Sequence, residues 1–95
     1  MRVRYTLEAL AHLDVIHSDI EPRNPIAARR VIARIRAAAD RLGEFPKIGH
    51  RGLVDGTSEW PVRGLPYIIV YELDIEANEI VVIGVFHGAQ DRDYV

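Results

Sequence analysis

The sequence contains no cysteine, which excludes disulfide bridges and thiolate metal sites. No apolar run approaches the roughly 20 residues that cross a bilayer. The opening Met1-Arg-Val-Arg-Tyr reads as a strand rather than as a leader segment. A soluble, cytoplasmic protein without membrane contact is the expectation. There is no phosphate-cradling glycine loop and no nucleophile elbow. His12 and His17 stand about 140° apart on a helix, so they do not share the face that a zinc site needs. Neither a metal nor a cofactor is expected.

What is present is enough for one core. With 95 residues, 48% of them hydrophobic, the chain makes a single domain, residues 1–95, that needs no staples. The net charge of −2 hides an asymmetry. Residues 23–52 carry eight basic side chains (Arg23, Arg29, Arg30, Arg34, Arg36, Arg41, Lys47 and Arg51) against Asp40 and Glu44. Residues 53–95 carry Arg63 and Arg92 against eight acids. The basic middle either complements the acidic end across the fold or faces an acidic partner.

Residues 2–5 alternate Arg, Val, Arg, Tyr, the period of a strand with one buried face. Thr6 is placed to cap a helix, with Glu8 in its first turn and Leu7, Leu10, Leu13, Ile16 and Ile20 at helical spacing. Asn24-Pro25 restarts the chain as N-cap and first helical residue. The second helix is expected to run to about Leu42 and to stop at Gly43. On its wheel Ala28, Val31, Ile32, Ile35, Ala38, Ala39 and Leu42 share an arc of about 120°. Arg30, Arg34 and Arg41 lie on the opposite flank. Leu53-Val54 begins a possible strand, and residues 59–62 make a short one, with Pro61 favouring an edge or irregular position. Residues 67–73 and 80–87 are apolar enough to be central strands. The expected class is α+β, a two-helix hairpin on a small, mostly antiparallel sheet in the order β-α-α-β-β-β.

The order and spacing of these pieces carry a resemblance over most of the chain. They are Leu7-Glu-Ala-Leu-Ala-His-Leu, Asn24-Pro25-Ile-Ala-Ala-Arg, Leu42-Gly-Glu-Phe-Pro46-Lys-Ile-Gly49, Arg63-Gly-Leu-Pro-Tyr67-Ile-Ile-Val-Tyr71 and Val-Phe-His87-Gly-Ala-Gln90. Together they resemble the RelE/ParE family of type II toxin–antitoxin toxins. The resemblance implies a growth-inhibiting toxin held in a hetero-oligomer by a cognate antitoxin. Two targets divide the family: ParE-like members block DNA gyrase, and RelE-like members cut mRNA on the ribosome.

For the nuclease reading, Arg63 matches a basic position of the family strand and is suited to bidentate phosphate binding. Pairing with Glu59 or another carboxylate is its plainer alternative. His87 ends the last strand as an acid or base, or as a histidine simply hydrogen-bonded at the sheet end. Arg51 and Tyr94 are the assisting candidates, Tyr94 because RelE-like nucleases can place a catalytic tyrosine near the C-terminus. Two departures argue against a full nuclease set. Ile68 stands where such nucleases commonly carry an arginine, and Gly88-Ala89-Gln90-Asp91 replaces the expected basic cluster. The first expectation is therefore a ParE-like gyrase inhibitor that binds through Arg30, Arg34 and Arg41. A RelE-like endoribonuclease and a degenerate, non-toxic antitoxin-binding member are the alternatives.

Overall fold

A computed structural model of the chain describes residues 1–89. Strand β1 (Arg2–Tyr5) leads directly into helix α1 (Leu7–Ile20), because the Thr6 hydroxyl accepts the Ala9 N–H at 3.1 Å. Asn24 does the same for helix α2 (Pro25–Glu44), its Oδ1 accepting the Ala27 N–H at 3.0 Å. Such caps satisfy backbone donors that a helix leaves unpaired, each contributing about 1 kcal/mol. Four strands follow: β2 (His50–Arg51), β3 (Ser58–Pro61), β4 (Tyr67–Asp74) and β5 (Glu79–His87).

The sheet order is β1-β5-β4-β3-β2, parallel between β1 and β5 and antiparallel elsewhere. The two strongest strands of the sequence are thus interior. The two helices pack together and cover one face. Leu13 and Ile16 of α1 and Ile35, Ala39 and Leu42 of α2 meet Ile69, Tyr71, Ile80, Val82 and Val85. Burying one leucine or isoleucine of this set stabilises by about 1.5–3 kcal/mol.

Three local expectations are corrected. The α1 core face runs through Ala9, Leu13 and Ile16, whereas Leu7 is 81% exposed. Small Ala9, rather than Leu7 or Leu10, begins that face. Helix α2 does not stop at Gly43 but continues to Glu44, and Phe45 forms its C-cap without a left-handed residue. Gly43 is buried because the first residue crosses over it: the Met1 amino group donates to the Gly43 carbonyl at 2.8 Å. Finally, Leu53 and Val54 lie exposed in the turn after β2, and the strand is His50–Arg51.

One irregularity matters for the site. Tyr71 pairs with Val82 and Val70 with Gly84, so Ile83 is an extra residue in β5. A bulge of this kind reverses which side chains face each way beyond it. Ile80 and Val82 enter the core before the bulge and Val85 enters it after. His87 is thereby turned to the helix-covered face, beside Tyr67.

Candidate functional site

At the end of the sheet where β5 finishes and the β3–β4 turn begins, four titratable side chains line one cleft of about 270 Å³: His12, Asp19, Tyr67 and His87. Val15, Ile16, Val85 and Phe86 form its apolar walls. Helix α1 supplies His12 and Asp19 from the flank of its core stripe. β1 pairs with β5 only as far as Val82, so α1 lies along the rest of that strand. The Val85 N–H, which has no strand to bond, donates instead to His12 Nδ1 at 3.2 Å.

His87 Nδ1 likewise accepts the Ala89 N–H at 3.2 Å. With both Nδ1 atoms accepting, the neutral form of each imidazole carries its proton on Nε2. The His87 ring stands edge-on to Tyr67 at 5.8 Å, and the His12 ring contacts Phe86 at 4.8 Å. Burial raises the Tyr67 pKa above its ordinary 10.0, and the Asp19 carboxylate adds to the shift. Among the described residues the cleft therefore offers imidazole and phenol groups and a carboxylate, chemistry fit for hydrogen bonding or proton transfer.

The candidate residues from the sequence fall in different places. Arg63 lies in the β3–β4 turn at the same end as His87. Glu59, its alternative partner, accepts the Leu53 N–H on Oε2 at 3.2 Å. Arg34 reaches this turn from α2 and donates to the Arg63 carbonyl. Arg30, one helical turn earlier, is exposed. Arg41 is at the far end of α2, its guanidinium 5.4 Å from the centre of the Phe45 ring. Arg51 is remote from His87. It pairs with Ser58, which faces Tyr71, so it is three strands across and four residues along the sheet. At ordinary strand spacing that is roughly 14 Å sideways and 13 Å lengthwise. Tyr94 lies outside the described residues.

His12 and Asp19 were missed in the sequence because no motif marks them. The available signal was their position on α1, flanking Ala9, Leu13 and Ile16, where a polar side chain borders the sheet.

The comparisons with known proteins agree with this architecture. The family described as ParE toxin of type II toxin-antitoxin system, parDE, matches residues 3–92. The Y4kP protein of Sinorhizobium fredii is 40% identical over 89 residues, covering 94% of this chain and 90% of that one. Toxin RelE2 of Caulobacter vibrioides is 39% identical over 70 residues, covering 74% and 77% of the two chains. Among solved structures, the chromosomal ParDE system from P. aeruginosa superposes with a TM-score of 0.81 at 19% identity, over 92% of this chain and 95% of that one. The RelBE2 toxin–antitoxin complex from Mycobacterium tuberculosis gives 0.65 at 24% identity, over 90% and 95%. These two likenesses establish the fold, and the sequence matches establish the family: the chain belongs to the ParE toxins of type II toxin–antitoxin systems, within the RelE/ParE superfamily.

Proposed function

We propose that this toxin arrests growth by a ParE-like block of DNA gyrase, acting by binding rather than by chemistry, and that a cognate antitoxin neutralises it in a hetero-oligomer. The observation that carries this reading is the separation of Arg51 from His87 across the sheet. A ribonuclease of this type needs a base, an acid and cations around one phosphate, within hydrogen-bond reach of each other. Ile68 removes one further cation from that end of β4. Exposed Arg30, Arg34 and Arg41, which form no ion pair among the described residues, suit recognition of an acidic surface instead.

A second reading, ribosome-dependent mRNA cleavage, is favoured by one specific feature: His12, Tyr67 and His87 share a cleft at the end that carries Arg63. One experiment separates the two. The toxin is expressed without its antitoxin while growth, transcript integrity and gyrase-dependent supercoiling are followed together. Intact transcripts with blocked supercoiling are the expected result. Transcript cleavage that disappears in His87→Ala or Arg63→Ala overturns it in favour of the nuclease. Normal growth identifies a non-toxic member.

A further inference from the structure

The two helices carry opposite charge. Helix α1 has Glu8, Asp14 and Asp19 and neither lysine nor arginine. Residues 25–39 of α2 have Arg29, Arg30, Arg34 and Arg36 and no carboxylate. All of these residues are exposed. No ion pair joins the two helices among the described residues. Arg34 is engaged with the Arg63 carbonyl, and the Arg36 guanidinium lies over the Tyr5 ring, 4.9 Å from its centre. Arg29 and Arg30 border the face that α2 turns away from the sheet.

Between these charges the outer face of the hairpin is apolar. Leu7, Ala11 and Val15 follow at i, i+4 and i+8 on α1, opposite the buried Ala9, Leu13 and Ile16, and all three are exposed. On α2, Ile26, Ala33 and Ala37 are exposed opposite the buried Ala28, Ile35 and Leu42. At about 100° per residue, Arg29 and Arg30 flank the α2 strip on its two sides, and Glu8 and Asp14 flank the α1 strip in the same way. An apolar centre within a charged rim is the anatomy of a protein interface.

We infer that the outer face of the α1–α2 hairpin is the contact between two copies of this toxin, with α1 of each copy set on α2 of the other. Segregation of charge by helix selects this occupant. A nucleic acid would meet Arg29 and Arg30 but be repelled by the carboxylates of the neighbouring helix. A basic peptide would meet those carboxylates and be repelled by the arginines. A second copy satisfies both helices at once. Charge also selects the symmetry axis. A two-fold axis parallel to the helices lays α1 antiparallel on the partner's α2, whereas an in-plane axis perpendicular to them sets acid on acid and arginine on arginine. The chain turns back within residues 21–24, so the C-terminal half of α1 lies beside the N-terminal half of α2. The parallel axis therefore brings Asp14 and Asp19 of one copy toward Arg29 and Arg30 of the other. This contact does not depend on the target being gyrase. Because Arg30 lies within it, the dimer and an acidic target exclude one another there.

Sedimentation equilibrium of the full chain, free of antitoxin, measures the dimer, and circular dichroism reports folding. Two charge-reversed variants are compared with the wild type: Asp14→Lys/Asp19→Lys on α1 and Arg29→Glu/Arg30→Glu on α2. Each variant alone sets like charges against one another in both halves of the contact, so its dimer dissociation constant should rise about tenfold or more. An equimolar mixture of the two pairs a basic α1 with an acidic α2 beside the native pairing, and dimerisation should return to within about threefold of the wild type. Val15→Ser/Ile26→Ser should weaken the dimer while leaving its salt dependence unchanged. A wild type that stays monomeric up to about 100 μM overturns the inference. Folded charge variants that dimerise as the wild type does, or a mixture that stays monomeric, overturn it as well. If the wild type is monomeric and both variants lose affinity for the cognate antitoxin, the face belongs to the antitoxin, and self-association is again wrong.

Discussion

The hydroxyl of Tyr71, in the middle of β4, accepts the backbone N–H of Gly49 at 3.1 Å, and a Cβ on Gly49 would stand 2.4 Å from that oxygen. One side chain in the core thus fixes a loop at the surface. Tyr71 is fully buried, and its ring packs with Ile69, Ile80 and Val82. Because the same hydroxyl holds Pro46, the α2–β2 connection is tied to the sheet at two points. Packing inside and presentation outside are one structural unit here.

Tyr71→Phe should test that unit. The ring still fills its place, but the Pro46 carbonyl and the Gly49 N–H lose their shared partner. Leaving such groups without a partner costs about 1–3 kcal/mol. Urea unfolding should show a lower midpoint with an unchanged slope. Gly49→Ala should be at least as damaging, since its methyl collides with the hydroxyl and with the Glu59 carbonyl, 2.8 Å away. An unaltered midpoint in both variants would show that the loop does not depend on Tyr71.

Alkaline pH should destabilise the fold. Burial raises the pKa of Tyr5, Tyr67 and Tyr71 above the ordinary 10.0. For Tyr71 the Gly49 N–H opposes the shift without cancelling it. The folded state then keeps protons that the unfolded chain has already released. Stability from this source is intact below pH 10 and falls as pH rises through 10 toward the folded values. Tyrosinate absorbance and far-UV circular dichroism, followed together, should show ionisation of the buried rings accompanied by unfolding. Full ionisation of Tyr71 with an unchanged far-UV spectrum would contradict this.

Much of this fold was legible in the sequence because its signals are local. Thr6 and Asn24 marked both helix starts, since capping depends on a side chain three residues from its target. The continuous apolar runs in β4 and β5 marked the interior strands. What was hidden depends on residues distant in the chain. Gly43 looked like a helix stop, yet it is a packing residue because Met1 crosses it. The extra residue at Ile83 cannot be seen within an apolar run, although it decides which way His87 faces. His12 joined the site only because β1 ends at Tyr5, leaving the Val85 N–H in need of an acceptor. Residues 45–54 show no period, so their exposed apolar character gave no recognisable pattern.

Gly43→Ala makes the hidden role measurable. By helix propensity alone, alanine should stabilise α2 by nearly 1 kcal/mol. A Cβ there would lie 2.5 Å from the Met1 carbonyl oxygen and 3.1 Å from a Val3 methyl. The nearer atom is backbone, so relief requires β1 to move, and overpacking of this kind costs about 1–3 kcal/mol. The expected result is a lower melting temperature. A higher one would restore Gly43 to the status of an ordinary helical glycine.

Arg34 gives the opposite kind of prediction, a local effect with little global cost. Its guanidinium donates to the Arg63 carbonyl, tying α2 to the β3–β4 turn, but the contact is exposed. Water replaces an exposed hydrogen bond readily, so Arg34→Met should change global stability by less than about 1 kcal/mol. The turn itself keeps the Leu65 N–H to the Val62 carbonyl at 3.1 Å, and its far end is held where the Pro66 carbonyl accepts the Gly88 N–H at 2.7 Å. Opening of such a segment is governed by local contacts rather than by the core. Amide exchange at Leu65 should therefore accelerate in Arg34→Met, while Ile69 and Val70 in β4 exchange as before. Arg34→Lys should not restore protection fully, because an ammonium lacks the planar fork and greater reach of a guanidinium. If β4 accelerates together with the turn, Arg34 supports the sheet as a whole, and a purely local role for it is wrong.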